Sequence, residues 1–203
     1  MLPAEKLYVK YVNIFRVNDF EVIEKVLAGD REAFSLLINR HKDMAYTMAF
    51  RMVGNHSDAE EITQEAFIKA YSKLGFFRKD STFSTWFYRI VFNGAVSYLR
   101  SRKNIATQNE RTIQNIVSEE PLHQETEEQD FRRKAVLWVI SQLNPVEQAI
   151  VTLFYHEEKS LKEIGKIVGM NEDTVKMRLH RSRKKMKELL IKKFKEEFAN
   201  AEF

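Results

Sequence analysis

The chain reads as an all-α protein: two small helical domains joined by a flexible linker. Three observations predict this. Apolar residues recur at three- and four-residue spacing over most of the length. Helix starts and stops are written as Asn, Asp or Ser ahead of these runs and Gly behind them. The periodicity then fails once, from about residue 101 to residue 129, where polar and acidic side chains take over. The division that follows is an N-terminal extension over 1–18, a first domain over 19–102, an acidic linker over 103–130 and a second domain over 131–203.

Composition agrees with this class. A hydrophobic fraction of 44% can fill two cores, and 31% charged residues with only 6 Gly and 3 Pro in 203 suit helices. The formal net charge of +4 is compatible with a nucleic-acid partner without requiring one. Cysteine is absent, which excludes disulfides and thiolate metal sites and points to a cytoplasmic protein. No apolar run approaches the roughly 20 residues of a membrane span, so no membrane insertion is expected. The 5 histidines are scattered, and carboxylates gather at helix starts and in the linker. That spacing predicts no metal site, no cofactor and no catalytic centre.

The first domain opens with Phe20, Val22, Ile23, Val26 and Leu27 on a short amphipathic helix that stops at Ala28-Gly29. Asp30 can cap the next helix, whose face carries Phe34, Leu37, Ile38, His41, Ala45, Met48 and Met52 as far as Gly54-Asn55. His41 on that face is a packed or half-exposed histidine, since no second ligand stands at metal-binding spacing beside it. Ser57 is the expected cap of the third helix, with Glu60 in the capping-box position. Ala59, Ile62, Ala66, Phe67, Ala70 and Leu74 form its inner face. The outer face carries Asp58, Glu61, Gln64 and Glu65 together with Ile68 and Tyr71. Acidic side chains suit the first turn of a helix. The isoleucine and tyrosine among them leave two readings equally open: single exposed apolar residues of no consequence, or a docking face for a basic, partly apolar protein helix.

A polar loop between aromatics follows, Phe76-Phe77-Arg78-Lys79-Asp80-Ser81-Thr82-Phe83. Its Arg78, Lys79, Asp80, Ser81 and Thr82 can hydrogen-bond an unstacked base and its phosphate, while Phe77, Phe83 and Trp86 can line a pocket or stack. The helix behind it is apolar around most of its circumference, with a narrow polar stripe of Arg89, Asn93, Ser97 and Arg100. It is therefore the central helix of the domain.

The second domain carries Ala135, Val136, Trp138, Val139 and Leu143 on one helix. Asn144-Pro145-Val146-Glu147 starts the next, with a cap, proline at the first position and glutamate at the third. Ser160 to Met186 then encodes two helices and a sharp turn. Ser160 and Glu163 form a capping box, and Leu161, Ile164, Ile167 and Val168 make one buried stripe. Gly165 is small where a second helix would cross, Gly169 frees the turn, and Asn171 caps the second helix. At roughly 100° per residue, Val175, Leu179 and Met186 form its spine. Lys176, Met177, Arg178, His180, Arg181, Arg183 and Lys184 lie opposite or beside it. An apolar spine behind a basic front is what a recognition helix needs, because cationic side chains reach phosphates and base edges while the spine docks the helix. This is a helix-turn-helix DNA-binding unit.

Four stretches in this order resemble a known family. They are Asp58 to Phe67, Phe77 to Asn93, Leu143 to Val151 and Ser160 to Met186. Together they are similar to the extracytoplasmic-function (ECF) sigma factors of bacterial RNA polymerase, of the sigma-70 family, and cover the chain from about Asp19 to Leu190 apart from the linker. The resemblance implies a transcription initiation factor that binds core RNA polymerase, directs it to specific promoter DNA and assists melting. It assigns polymerase binding to Asp58, Glu61, Gln64, Glu65 and Ile68. It assigns the minus-ten element to Phe77, Arg78, Lys79, Asp80, Ser81, Phe83, Trp86, Arg89, Asn93 and Arg100, with a flipped base held by the loop. In the recognition helix it places Lys176, Met177, His180 and Arg181 on the bases of the minus-thirty-five element and Arg178, Arg183 and Lys184 on phosphates. An anti-sigma factor is implied as a further partner. The rival readings are a stand-alone helix-turn-helix regulator, which would bind duplex tightly without polymerase, and a metal-dependent nuclease, which the scattered carboxylates and histidines disfavour.

Overall fold

The computed structural model describes residues 18–106 and 127–200. The N-terminal extension and the centre of the acidic linker lie outside the described residues. Among these residues every regular element is helical: α1 Asp19–Leu27, α2 Phe34–Val53, α3 His56–Lys73, α4 Phe83–Ala106, α5 Glu127–Ser141, α6 Pro145–Tyr155, α7 Leu161–Val168 and α8 Glu172–Asn200, with short 3-10 turns at Arg31–Ala33 and Leu74–Phe76. The two helices flanking the linker therefore extend a few residues into the span assigned to it.

Capping chemistry sets most of the boundaries. Asn18 accepts from the Glu21 amide to start α1, and Asp30 accepts from Ala33 to start the 3-10 turn. Gly54 closes α2 in the left-handed conformation at φ 71°. The cap of α3 is Asn55 rather than Ser57: its side chain accepts from the Asp58 amide at 3.1 Å. The helix consequently begins two residues earlier, at His56, whose ring packs on Phe50 at 4.5 Å and bonds the Tyr46 hydroxyl. Asn144 caps α6 with Pro145 at its first position, as the sequence predicts.

In the first domain, α1 to α4 close around Val22, Ile23, Leu37, Ala45, Met48, Ala59, Ala66, Ala70, Phe83, Phe87, Tyr88 and Val91. The alanines on the inner face of α3 let it approach α2 and α4 closely. The polar stripe of α4 is the one the sequence predicts: Arg89, Asn93, Ser97 and Arg100 are exposed. His41 is 9% exposed and satisfied on both nitrogens, with Nε2 2.9 Å from Asp19 Oδ2 and Nδ1 3.4 Å from the Tyr88 oxygen. Burial alone would raise the Asp19 carboxyl, but the hydrogen bonds and charges of His41 and Arg40 outweigh it and hold the group below its ordinary value.

The two domains are separate in sequence but touch in space. α6 lies against α2, and α7 lies against α4. Leu143, Ala149, Ile150, Val151, Leu153, Ile164, Ile167 and Val168 are buried in the same apolar cluster as the first-domain core. Hydrogen bonds cross the seam: Arg51 Nη1 donates to Thr152 Oγ1 at 2.8 Å, and Lys159 Nζ donates to Ser84 Oγ at 2.8 Å.

Candidate nucleic-acid and polymerase interfaces

The helix-turn-helix is built as its sequence spells it. The Ser160 hydroxyl accepts from the Glu163 amide, and the Glu163 carboxylate accepts from the Ser160 amide at 3.0 Å. Burial would raise the Glu163 carboxyl, but the two Ser160 hydrogen bonds, Lys159 and Thr85 bring it below its usual value. Gly169 turns the chain at φ 71°, and Met170 donates its amide to the Gly165 carbonyl at 2.9 Å. Here the sequence reading of Gly165 is refined. A side chain there would meet the Met170 carbonyl oxygen at 2.6 Å, so the glycine makes room for its own turn rather than for a crossing helix. Asn171 accepts from Thr174 at 2.8 Å and caps α8.

On α8 the spine is buried, Val175 at 0% and Leu179 at 3%, and Met186 is half-buried against the core. The front is open to solvent: Lys176, Met177, His180 and Arg181 are exposed, as are Arg183 and Lys184, while Arg178 is half-buried. Met177 shows 55% of its surface, a large apolar exposure in the middle of a cationic face. Arg183 is stacked, its guanidinium 5.0 Å from the Phe154 ring centre and 5.4 Å from that of Tyr155. The stack fixes its direction and leaves its edge free for a phosphate oxygen. Lys184 lies 4.0 Å from Glu188, an exposed pair of little energetic weight.

The polar loop is divided by its aromatics. Phe83 is 1% exposed and packs on His41, Phe77, Trp86 and Phe87, so it supports the loop from inside and offers no face to a base. Phe77 and Trp86 are half-buried with ring centres 5.2 Å apart, and Phe77 also stacks on Phe20 at 6.0 Å. The most presented ring is Phe76, 82% exposed, which no spacing or neighbour in the sequence distinguishes from Phe77. Arg78, Lys79 and Asp80 are exposed and Ser81 is half-buried. Lys79 sits at φ 60°, a strained conformation for a side chain-bearing residue, and pairs with Glu24 at 2.7 Å. Thr82 accepts from the Thr85 amide at 3.2 Å and so caps α4.

On α3 the outer face is presented in full: Glu61, Gln64 and Glu65 are exposed, and Ile68 is 68% exposed. Asp58 is half-buried, and burial first and then the Asp58 carboxylate raise the pKa of the Tyr98 phenol. Tyr71 is 42% exposed with its ring edge on Phe34 at 5.0 Å. Among the described residues no group of three or more His, Cys, Asp or Glu is placed to hold a metal, and no helix is long and apolar enough to cross a membrane.

This fold and these surfaces define a two-part helical DNA-binding protein with an acidic, isoleucine-centred face set apart from its basic one. Residues 37–105 match the family model for sigma-70 region 2, and residues 133–186 match that for sigma-70 region 4. The ECF RNA polymerase sigma factor SigW of Bacillus subtilis is 32% identical over 176 residues, covering 83% of this chain and 94% of that protein. The RNA polymerase sigma factor SigV of the same organism is 33% identical over 162 residues, covering 76% and 89%. Among solved structures, the sigma factor RpoE of Bartonella quintana in complex with the anti-sigma factor NepR shares the fold with a TM-score of 0.68 at 20% identity, over 77% of this chain and 96% of that one. The chain belongs to the ECF sigma factors of the sigma-70 family. It is a transcription initiation factor that binds core RNA polymerase and directs it to specific promoters.

Proposed function

We propose that the two domains divide promoter recognition, and that named residues carry each part. The unit over 131–203 places Lys176, Met177, His180 and Arg181 on bases of the minus-thirty-five element, with Arg178, Arg183 and Lys184 on flanking phosphates. The unit over 19–102 binds polymerase through Asp58, Glu61, Gln64, Glu65 and Ile68. Its loop holds an unstacked base of the minus-ten element with Arg78, Lys79, Asp80 and Ser81 over the Phe77–Trp86 floor, while Arg89, Asn93 and Arg100 follow the adjacent backbone. Phe83 acts from beneath, by fixing that floor.

The observation that carries this reading is the separation of faces. A buried spine holds an exposed basic front on α8, and a different helix presents Ile68 at 68% exposure among carboxylates. DNA would be repelled by the second face, whereas a basic, partly apolar protein helix fits it. The protein lowers the cost of keeping one base unstacked and makes or breaks no covalent bond. It acts in the cytoplasm, and an anti-sigma factor covers its binding faces until initiation is needed. The NepR complex of the Bartonella quintana sigma factor gives a precedent for such a partner.

The test is a run-off assay with core RNA polymerase and a library of promoter fragments. Specific transcripts are expected only when the chain and core enzyme are both present. Tight sequence-specific binding of duplex by the free chain, with no transcript from any fragment, would instead support a stand-alone regulator.

A further inference from the structure

The melting loop has little backbone structure of its own. Among the described residues, the amides of Arg78, Lys79, Asp80 and Ser81 donate to no backbone carbonyl. Lys79 sits at φ 60°, which costs a lysine where it would cost a glycine nothing. Side chains must therefore hold the loop, and two of them come from α1. Phe20 stacks on Phe77 at 6.0 Å with the ring planes 11° apart. One turn further on the same face, Glu24 Oε1 accepts from Lys79 Nζ at 2.7 Å. The Lys79 ammonium also lies 5.9 Å from the Phe20 ring centre. Its hydrogen bond and charge hold the Glu24 carboxyl below the ordinary value. The helix that offers these groups is itself well seated: Val22 and Ile23 are buried, and Asp19 pairs with Arg40 and His41 at 2.9 Å. The family model for region 2 begins at residue 37, so α1 lies outside it.

From this juxtaposition we propose that Glu24 is a positioning residue for promoter opening: it ties Lys79 to α1 and, together with the Phe20–Phe77 stack, fixes the loop in the shape that receives a base. The proposal rests on the reading that the loop holds a base. Glu24 touches neither strand nor polymerase and acts through Lys79. It also sharpens the part played by Lys79, whose ammonium is committed to a carboxylate of its own chain. Lys79 serves the strand by where it places the backbone between Arg78 and Asp80, and its charge serves the tie.

Charge reversal tests this. Glu24→Lys and Lys79→Glu each put two like charges where the pair stands, and the double reversal restores a pair of opposite sense. The two side chains are 65% and 46% exposed, so the fold does not depend on either. Permanganate reactivity in the polymerase complex, on a promoter found by the run-off assay, reports the opened share of the bound promoter. Each single reversal should lower that share by roughly three- to fivefold, the upper range for an exposed ion pair, and the double reversal should restore it. Because the chain lacks cysteine, a nitroxide on Ser81→Cys reports the motion of the loop in separate preparations of the free chain. That motion should rise in each single reversal and return to the wild-type level in the double. Unchanged motion in both single reversals would overturn the tie. Motion restored but opening still lost in the double reversal would show that Lys79 meets the strand with its own charge, and would overturn the positioning role. Motion that rises while opening holds would overturn it too, provided Arg78→Ala combined with Asp80→Ala still abolishes opening. If that loop variant also opens normally, the loop reading itself fails and this proposal with it, while the nitroxide still reports the tie.

Discussion

The recognition helix and the melting loop, the two DNA grips proposed above, are built on opposite plans. On α8 the apolar and basic residues are segregated by helical period, the spine is buried and the front is free. In the loop the aromatics and polar groups alternate within a few residues, and the structure sorts them by means that no period describes. Phe83 goes fully inside, Phe77 and Trp86 half inside, and Phe76 fully outside. The α8 front waits in a rigid element for a duplex of fixed groove geometry. The loop has to meet a base that is exposed only after melting, and no helix of its own gives it a shape. A duplex reader takes its form from its own helix, whereas a strand reader takes it from its neighbours.

This contrast can be broken at either end. The largest effect is expected from Ile68→Glu, which adds a carboxylate to an already acidic docking face. Association with core polymerase should fall by tenfold or more, equivalent to about 1.4 kcal/mol, with circular dichroism unchanged. Unchanged association would remove α3 as the docking surface. Next is Gly165→Ala, whose new methyl group would stand 2.6 Å from the Met170 carbonyl. Opening the turn should cost about 1–3 kcal/mol of stability, seen as a lower thermal midpoint together with lost duplex binding. Arg181→Ala should cost about 1–3 kcal/mol in promoter binding and relax specificity at one base. A uniform loss over all promoters would reassign Arg181 to a phosphate. Ser160→Ala should cost about 1 kcal/mol through the lost cap, measured by denaturant unfolding.

The smallest effect is in acid. Glu163 and Asp19 both have folded pKa values below their ordinary 4.5 and 3.8. Each therefore contributes stability above those values that is lost as pH falls through the lower folded values. Stability against denaturant should be constant from neutral pH down to the ordinary carboxylate range and fall only below it, as Glu163 releases Thr85 and Lys159. A drop centred near neutrality would point to a histidine instead.

How much of this was legible beforehand follows the same divide. The helix-turn-helix could be read nearly atom by atom, since capping box, glycine turn and spine are local and depend on spacing alone. The inner face of α3 was equally plain: all six of its predicted residues are buried. Its start is not fixed by spacing, because Asn55 and Ser57 are both good caps, and the choice of Asn55 accompanies the packing of His56 against Phe50, a contact between helices. The loop is legible as a candidate site, but the sequence does not say which of its rings are covered. Phe76, Phe77 and Phe83 are the same residue type, and only the position of Phe20 and His41 decides which ring is covered. The interdomain seam had no sequence signal. Glu163 reads only as half of a capping box, Lys159 and Lys166 carry no signal of their own, and the partners of all three lie 75 or more residues away in the chain.

The division of labour between the two grips is tested most directly on one promoter, with polymerase present, by measuring occupancy and strand opening together. Footprinting reports occupancy, and permanganate reactivity of unpaired thymines reports opening. Arg181→Ala should reduce occupancy while the bound fraction opens as the wild type does. Arg78→Ala combined with Asp80→Ala should leave occupancy near wild type and abolish opening. Equal loss of occupancy in both variants, or normal opening in the loop variant, would contradict the account.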